Sequence, residues 1–147
     1  MLFDIINEDL KSAMRAKDKA ALRGIRAVKS ALLLLKTNSS AKEITKDDEI
    51  KILQKLVKQR KESIIVYTEQ GRDELAKEET EELEVIQKYL PKQLSKVEIE
   101  KVIAEVIIET SAKSMADMGK IMAVAMKKFG GQADGKTISA IVKEKLS

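Results

Sequence analysis

Residues 130–137 read Gly-Gly-Gln-Ala-Asp-Gly-Lys-Thr. The octet is a formal match to the phosphate-loop pattern G-x-x-x-x-G-K-[ST], which would make the chain an α/β nucleotide-binding protein. A phosphate loop needs a strand before it and a helix after it, inside a sheet. Here a Met-rich helical pattern, Met115 to Phe129, comes first, and only ten residues follow Thr137. The octet is more simply a helix stop at Gly130, a Gly-Gly turn and a helix start capped by Asp134. The local expectation is helix–turn–helix with no sheet.

The rest of the chain agrees. Leu2 to about Ala16 carries Phe3, Ile6, Leu10 and Ala13 or Met14 at helical spacing. Asp18 is a plausible cap for a second helix reaching about Thr37, with Leu22, Ile25, Val28, Leu32 and Leu35 as its stripe. Gly24 sits inside it at a cost of about 1 kcal/mol relative to alanine, which close approach of a neighbouring helix would explain. Asn38-Ser39-Ser40 breaks the pattern, and Thr45 with Asp48 resembles a capping box. A third helix then runs from about Lys46 to Gln70, with Ile50, Leu53, Val57, Ile64 and Tyr67 on one side and Gly71 ending it. The fourth, about Asp73 to Leu90, is acidic, with Leu75, Leu83, Ile86 and Leu90 as its apolar face.

Pro91, the one proline, marks a boundary between residues 1–91 and 92–147. Ser95 and Glu98 form a capping box for a fifth helix to about Thr110, whose core face is Ile99, Val102, Ile103, Val106 and Ile107, widened by Ile108. Ser114 with Asp117 starts a sixth, with Met115, Met118, Met122, Ala125 and Phe129 on one side. Ile138, Ile141, Val142 and Leu146 are the core of a seventh. The expected fold is all-α: an N-terminal four-helix hairpin bundle and a smaller C-terminal three-helix subdomain, the latter near the lower size limit for independent folding.

Composition narrows the chemistry. The 147 residues contain no Cys and no His, which removes thiol nucleophiles, imidazole bases and thiolate or imidazole metal sites. No catalytic residue, cofactor or metal site is expected. The apolar run Ala31 to Leu35, like every other in the chain, is far short of a bilayer crossing. With no export-type start and no cysteine, the chain is expected in the cytoplasm. The net charge of +4 is mild but uneven, a basic beginning and end flanking an acidic middle. That asymmetry permits a polyanion on one face without requiring one.

Candidate sites are therefore cationic. Lys55, Lys58, Arg60 and Lys61 cluster on the third helix. Arg60 points toward the apolar stripe, which leaves two readings: a stem covering the core with its head on a carboxylate of the fourth helix, or an anion-facing arginine in a groove. Arg15, Lys19, Arg23 and Arg26 form a ridge that is either a solvated face or a phosphate-contacting one. Lys120, Lys127, Lys128 and Lys136 surround the C-terminal subdomain, and the Asp134-Gly135-Lys136-Thr137 helix start offers either local capping or a single phosphate site. Glu78, Glu79, Glu81 and Glu82 read as exposed carboxylates of ordinary acid strength. The methionines at 115, 118, 122 and 126 are either core or a partner-binding groove. The few aromatics, Phe3, Tyr67, Tyr89 and Phe129, form no row for stacking bases.

Several ordered strings resemble one family, the GatB/YqeY group. They are Leu22-Arg23-x-Ile25-Arg26-x-x-Lys29-Ser30-Ala31, Lys58-Gln59-Arg60-Lys61-Glu62-Ser63, Tyr89-Leu90-Pro91-Lys92-Gln93-Leu94-Ser95, Asp117-Met118-Gly119-Lys120-Ile121-Met122 and Ala133-Asp134-Gly135-Lys136. The family includes stand-alone proteins and the helical C-terminal tail of the B subunit of the aspartyl/glutamyl-tRNA amidotransferase, a tail associated with tRNA recognition. The resemblance implies a free copy of that tail, lacking the enzyme's glutaminase and kinase-like centres. It makes tRNA, amidotransferase subunits or another protein the expected partners, with no membrane. A family-level link to carbon–nitrogen ligase activity with glutamine as amido-N-donor comes with it, without an autonomous active site. Arg60, Lys61, Lys120 and Lys136 are the matching RNA-facing candidates. Arg23, Arg26, Lys58, Lys127 and Lys128 join them on charge and placement. Where the family often has proline after the residue matching Met126, this chain has Lys127, which implies a straighter, more basic last turn.

Overall fold

A computed structural model describes residues 1–38 and 43–147. Among the described residues every regular element is helical. The elements are α1 (Leu2–Ala16), α2 (Lys19–Asn38), α3 (Lys46–Glu69), α4 (Asp73–Gln87), α5 (Lys96–Thr110), α6 (Met118–Phe129) and α7 (Gly135–Leu146), with one 3-10 turn at Met115–Asp117. The all-α expectation holds, as a cluster of α1–α4 and a smaller group of α5–α7. Backbone contacts divide the chain into compact units Met1–Leu90 and Pro91–Ser147. Of the break expected at Asn38-Ser39-Ser40, the two serines lie outside the described residues.

Helix starts follow the caps. The Thr45–Asp48 and Ser95–Glu98 boxes are both closed in both directions, so each satisfies two otherwise orphan amides. Asp134 accepts the Thr137 N–H at 2.9 Å and opens α7. Gly130 ends α6 in the left-handed region, at φ 54°, where a side chain would be strained. The octet 130–137 is thus a stop, a turn and a start.

In the first unit Ile6, Val28, Leu32, Leu53 and Ile86 are enclosed in one core. α4 packs along both α3 and α2, and α1 packs on α2. At Gly24 the α2 backbone meets α4 so closely that an added Cβ would lie 2.7 Å from Val85 Cβ. In the second unit Ile103, Val106, Ile121, Ile138 and Val142 are enclosed where α5, α6 and α7 meet. The Leu94 N–H donates to the Gln132 carbonyl at 2.9 Å, tying the lead-in to α5 to the α6–α7 turn.

Several local expectations need correction. Leu75 is exposed and Ala76 is buried in its place, while further along α4 Leu83 and Ile86 pack into the core. Leu75 lies eleven residues, about three whole turns, from Ile86 and so on nearly the same line of the helix; its exposure comes from its place in the first turn of α4, away from the core that encloses Ile86. α4 ends at Gln87, short of Leu90. Ile108 does not widen the α5 core face; it is 78% exposed, on the side away from Ile103 and Val106. Met115 stands in the 3-10 turn, exposed, so the stripe of α6 is Ile121, Ala125 and Phe129, with Met118 and Met122 partly buried beside it.

Candidate nucleic-acid interface

α4 sorts the basic residues of the first unit. Its acidic segment does not all face solvent, because the helix lies against both α2 and α3. Arg23 Nη2 reaches Glu81 Oε2 at 2.7 Å across the α2–α4 seam. Arg60, whose side chain is 18% exposed, has Nε 3.8 Å from Glu79 Oε2 and Nη2 3.7 Å from Glu82 Oε1 across the α3–α4 seam. Its stem lies over the core edge and its head lies among α4 carboxylates. The expectation of exposed carboxylates is therefore corrected for Glu79, Glu81 and Glu82, and that of ordinary acid strength for Glu79. Glu79 binds its proton more tightly than a free glutamate, chiefly through burial and then through neighbouring Glu82, with Arg60 pulling the other way.

The other candidates differ. Arg26, Lys58 and Lys61 are exposed and make no ion pair among the described residues. Lys55 is likewise exposed and unpaired, as are Arg15 and Lys19. In the second unit Lys128 Nζ is held by Glu109 Oε1 at 2.6 Å, which bridges α6 to α5. Lys120 and Lys127, two turns apart on α6, are exposed and unpaired among the described residues, and so is Lys136 at the start of α7. α6 runs unbroken through Lys127 to Phe129. At the Asp134-Gly135-Lys136-Thr137 start the capping carboxylate already occupies the Thr137 amide.

Little here resembles an activated catalytic group. Tyr89 donates to Asp9 at 2.6 Å, and burial together with that bond pushes its phenol well above the usual range, so it keeps its proton and is a poor nucleophile. Among the described residues no group of three or more carboxylates could hold a metal ion. No helix among them is long and apolar enough to cross a membrane.

One residue escaped sequence reasoning. Glu49 is buried, and its Oε2 accepts the Leu2 N–H at 3.1 Å. Met1 gives α1 no side-chain cap, so a carboxylate from α3 supplies one across space. The only sequence signal was an acidic residue in the first turn of α3, and that looks the same whether it serves its own helix or another.

The comparisons with known proteins follow this geometry. Relatives named "Altered inheritance of mitochondria protein 41, mitochondrial" match over most of the chain. The one from Pyrenophora tritici-repentis is 29% identical over 95% of this chain and 77% of its own length. That from Saccharomyces cerevisiae S288c is 34% identical over 91% and 71%. That from Kluyveromyces lactis is 26% identical over 94% and 72%. These names overturn the expected cytoplasmic location. That expectation rested on missing cysteine and a missing export signal, and neither feature separates the cytoplasm from a mitochondrial interior. The model of the family described as "Yqey-like protein" matches residues 3–146, a span that holds the paired α4 seams and, among the described residues, every helix but for the first residue of α1. The chain belongs to the YqeY family.

Proposed function

We propose that this chain is a non-catalytic helical module that binds tRNA, or joins a tRNA amidotransferase, through the basic side chains its own carboxylates leave unpaired. The observation that carries this reading is the sorting of the nine candidate cations. Arg23, Arg60 and Lys128 are occupied by Glu81, Glu79 with Glu82, and Glu109. Arg26, Lys58, Lys61, Lys120, Lys127 and Lys136 project free among the described residues. Phosphate contacts need positive charge in the right place and no base edge, which suits lysines spread over helical faces. The lack of an aromatic row favours folded or duplex RNA read by shape over single strands. As part of a glutamine-dependent carbon–nitrogen ligase, the chain would hold RNA while another subunit carried the chemistry.

Titration of fluorescently labelled total tRNA tests this. Affinity is expected near the micromolar range at low salt, with a log–log salt slope between about −2 and −5 for a handful of phosphate contacts. Replacing Lys58, Lys61, Lys120 and Lys127 together by glutamine should flatten the slope. Replacing Arg23 by methionine should not. A salt-independent response, or a quadruple variant that binds as the parent does, overturns the proposal. Co-purification with amidotransferase subunits would separate a working component from a free module.

A further inference from the structure

α2 and α3 follow one another in the chain, yet each packs more extensively on α4 than on the other. A groove of about 530 Å³ lies between them. On the α2 side Ala27, Ala31 and Leu34 recur at i, i+4 and i+7, a single helical stripe, and Leu56 faces them from α3. The two alanines are small enough to admit a helix backbone, and Leu34 is 61% exposed. Among the described residues the charged side chains lining this groove are Lys55 and Arg60, with no carboxylate. Arg60 is turned to α4, so it is already occupied. Lys55 belongs to a ridge with Lys51 and Lys58, again at i, i+4 and i+7, and all three are exposed and unpaired among the described residues.

An RNA backbone would use the ridge but gives no reason for the exposed Leu34 and the two small alanines beside it, and among the described residues no aromatic side chain lines the groove for stacking. A helix that is apolar on one side and acidic along the flank uses both features. We propose that the groove between α2 and α3 docks one amphipathic helix of a protein partner. Its apolar side chains sit on Ala27, Ala31, Leu34 and Leu56, and its carboxylates face Lys51, Lys55 and Lys58. The stripe from Ala27 to Asn38 spans about 17 Å, room for roughly three turns of a partner helix. Lys58 is shared with the proposed tRNA contacts, so the apolar floor at Leu34 is what separates this docking from tRNA binding.

The test uses the full chain and three labelled synthetic helical peptides of about 15 residues. All share one scaffold. One has a leucine stripe with a glutamate flank, one the same stripe with a lysine flank, and one has serine in place of leucine. The glutamate-flanked leucine peptide should bind about tenfold more tightly than the lysine-flanked one, and the serine peptide should not bind. Leu34→Glu should weaken the acidic peptide about tenfold or more while leaving tRNA affinity unchanged, and Lys55→Glu should narrow the preference between flanks. Both positions are exposed, and urea unfolding of each variant verifies that the fold persists. The proposal is overturned if the acidic peptide fails to bind, if both flanks bind alike, or if Leu34→Glu weakens tRNA rather than the peptide.

Discussion

The two units of this chain hold their helices together in different ways. In residues 1–90 the helices are cross-linked by polar groups as well as by packing. Glu49 caps α1 from α3, Arg23 and Arg60 reach α4, Tyr89 donates to Asp9, and the Lys36 ammonium lies 5.8 Å from the centre of the Phe3 ring. In residues 91–147 the buried residues are all apolar, and the side-chain ion pair joining two helices is the exposed Lys128–Glu109. A three-helix unit can close its core on itself. In the larger unit, where α2 and α3 each pack mainly on α4, polar contacts stand at the α1–α3, α2–α4 and α3–α4 seams.

That contrast can be broken, beginning with the apolar unit. Ile121→Ala removes a fully enclosed side chain and should cost about 3–4 kcal/mol, read as accelerated amide exchange in α5–α7; a loss below about 1 kcal/mol would mean that this core is not what holds the unit. Next comes Gly24→Ala. Helix propensity alone would favour alanine by about 1 kcal/mol, but the methyl would press on Val85, so a net destabilisation of about 2 kcal/mol is expected in urea unfolding. A more stable variant would show that the α2–α4 seam yields to the added methyl. Glu49→Ala leaves the Leu2 amide without its buried acceptor and should cost about 1–2 kcal/mol, with fraying at the start of α1 visible by NMR.

The smallest effect sharpens the comparison through pH. The Glu79 carboxyl is raised above its ordinary 4.5, so the folded chain holds that proton more tightly than the unfolded chain. Its contribution is present at low pH and fades as pH rises through 4.5 and the higher folded value. Glu79→Gln should therefore stabilise slightly at pH 7, by a few tenths of a kcal/mol, and the gain should vanish under acid conditions where the parent carboxyl is protonated. A variant less stable at pH 7 would mean that the Arg60 attraction outweighs burial and repulsion.

Among the candidate sites, the free lysines were legible as a class, since a cation between polar neighbours on a helical stripe tends to face water. Which cations would be claimed by carboxylates was not. Arg23 and Arg26 look equivalent in the string, three residues apart, yet Arg23 meets Glu81 and Arg26 makes no ion pair among the described residues. Arg60 betrayed itself by standing on the apolar side of α3. Glu49 gave no comparable sign, because the amide it serves lies far away in the chain.

The sequence by itself determined the helices: Thr45 with Asp48, Ser95 with Glu98, Asp134 and Gly130 act through bonds and dihedral angles within a turn or two, so their outcome is settled locally. It also determined the absence of thiol and imidazole chemistry. Only the tertiary structure decided which face of α4 is buried, why position 24 must be glycine, which basic side chains remain free and where a groove stays open. Each of those depends on the angle and distance at which helices meet, set by the packing of residues far apart in the chain.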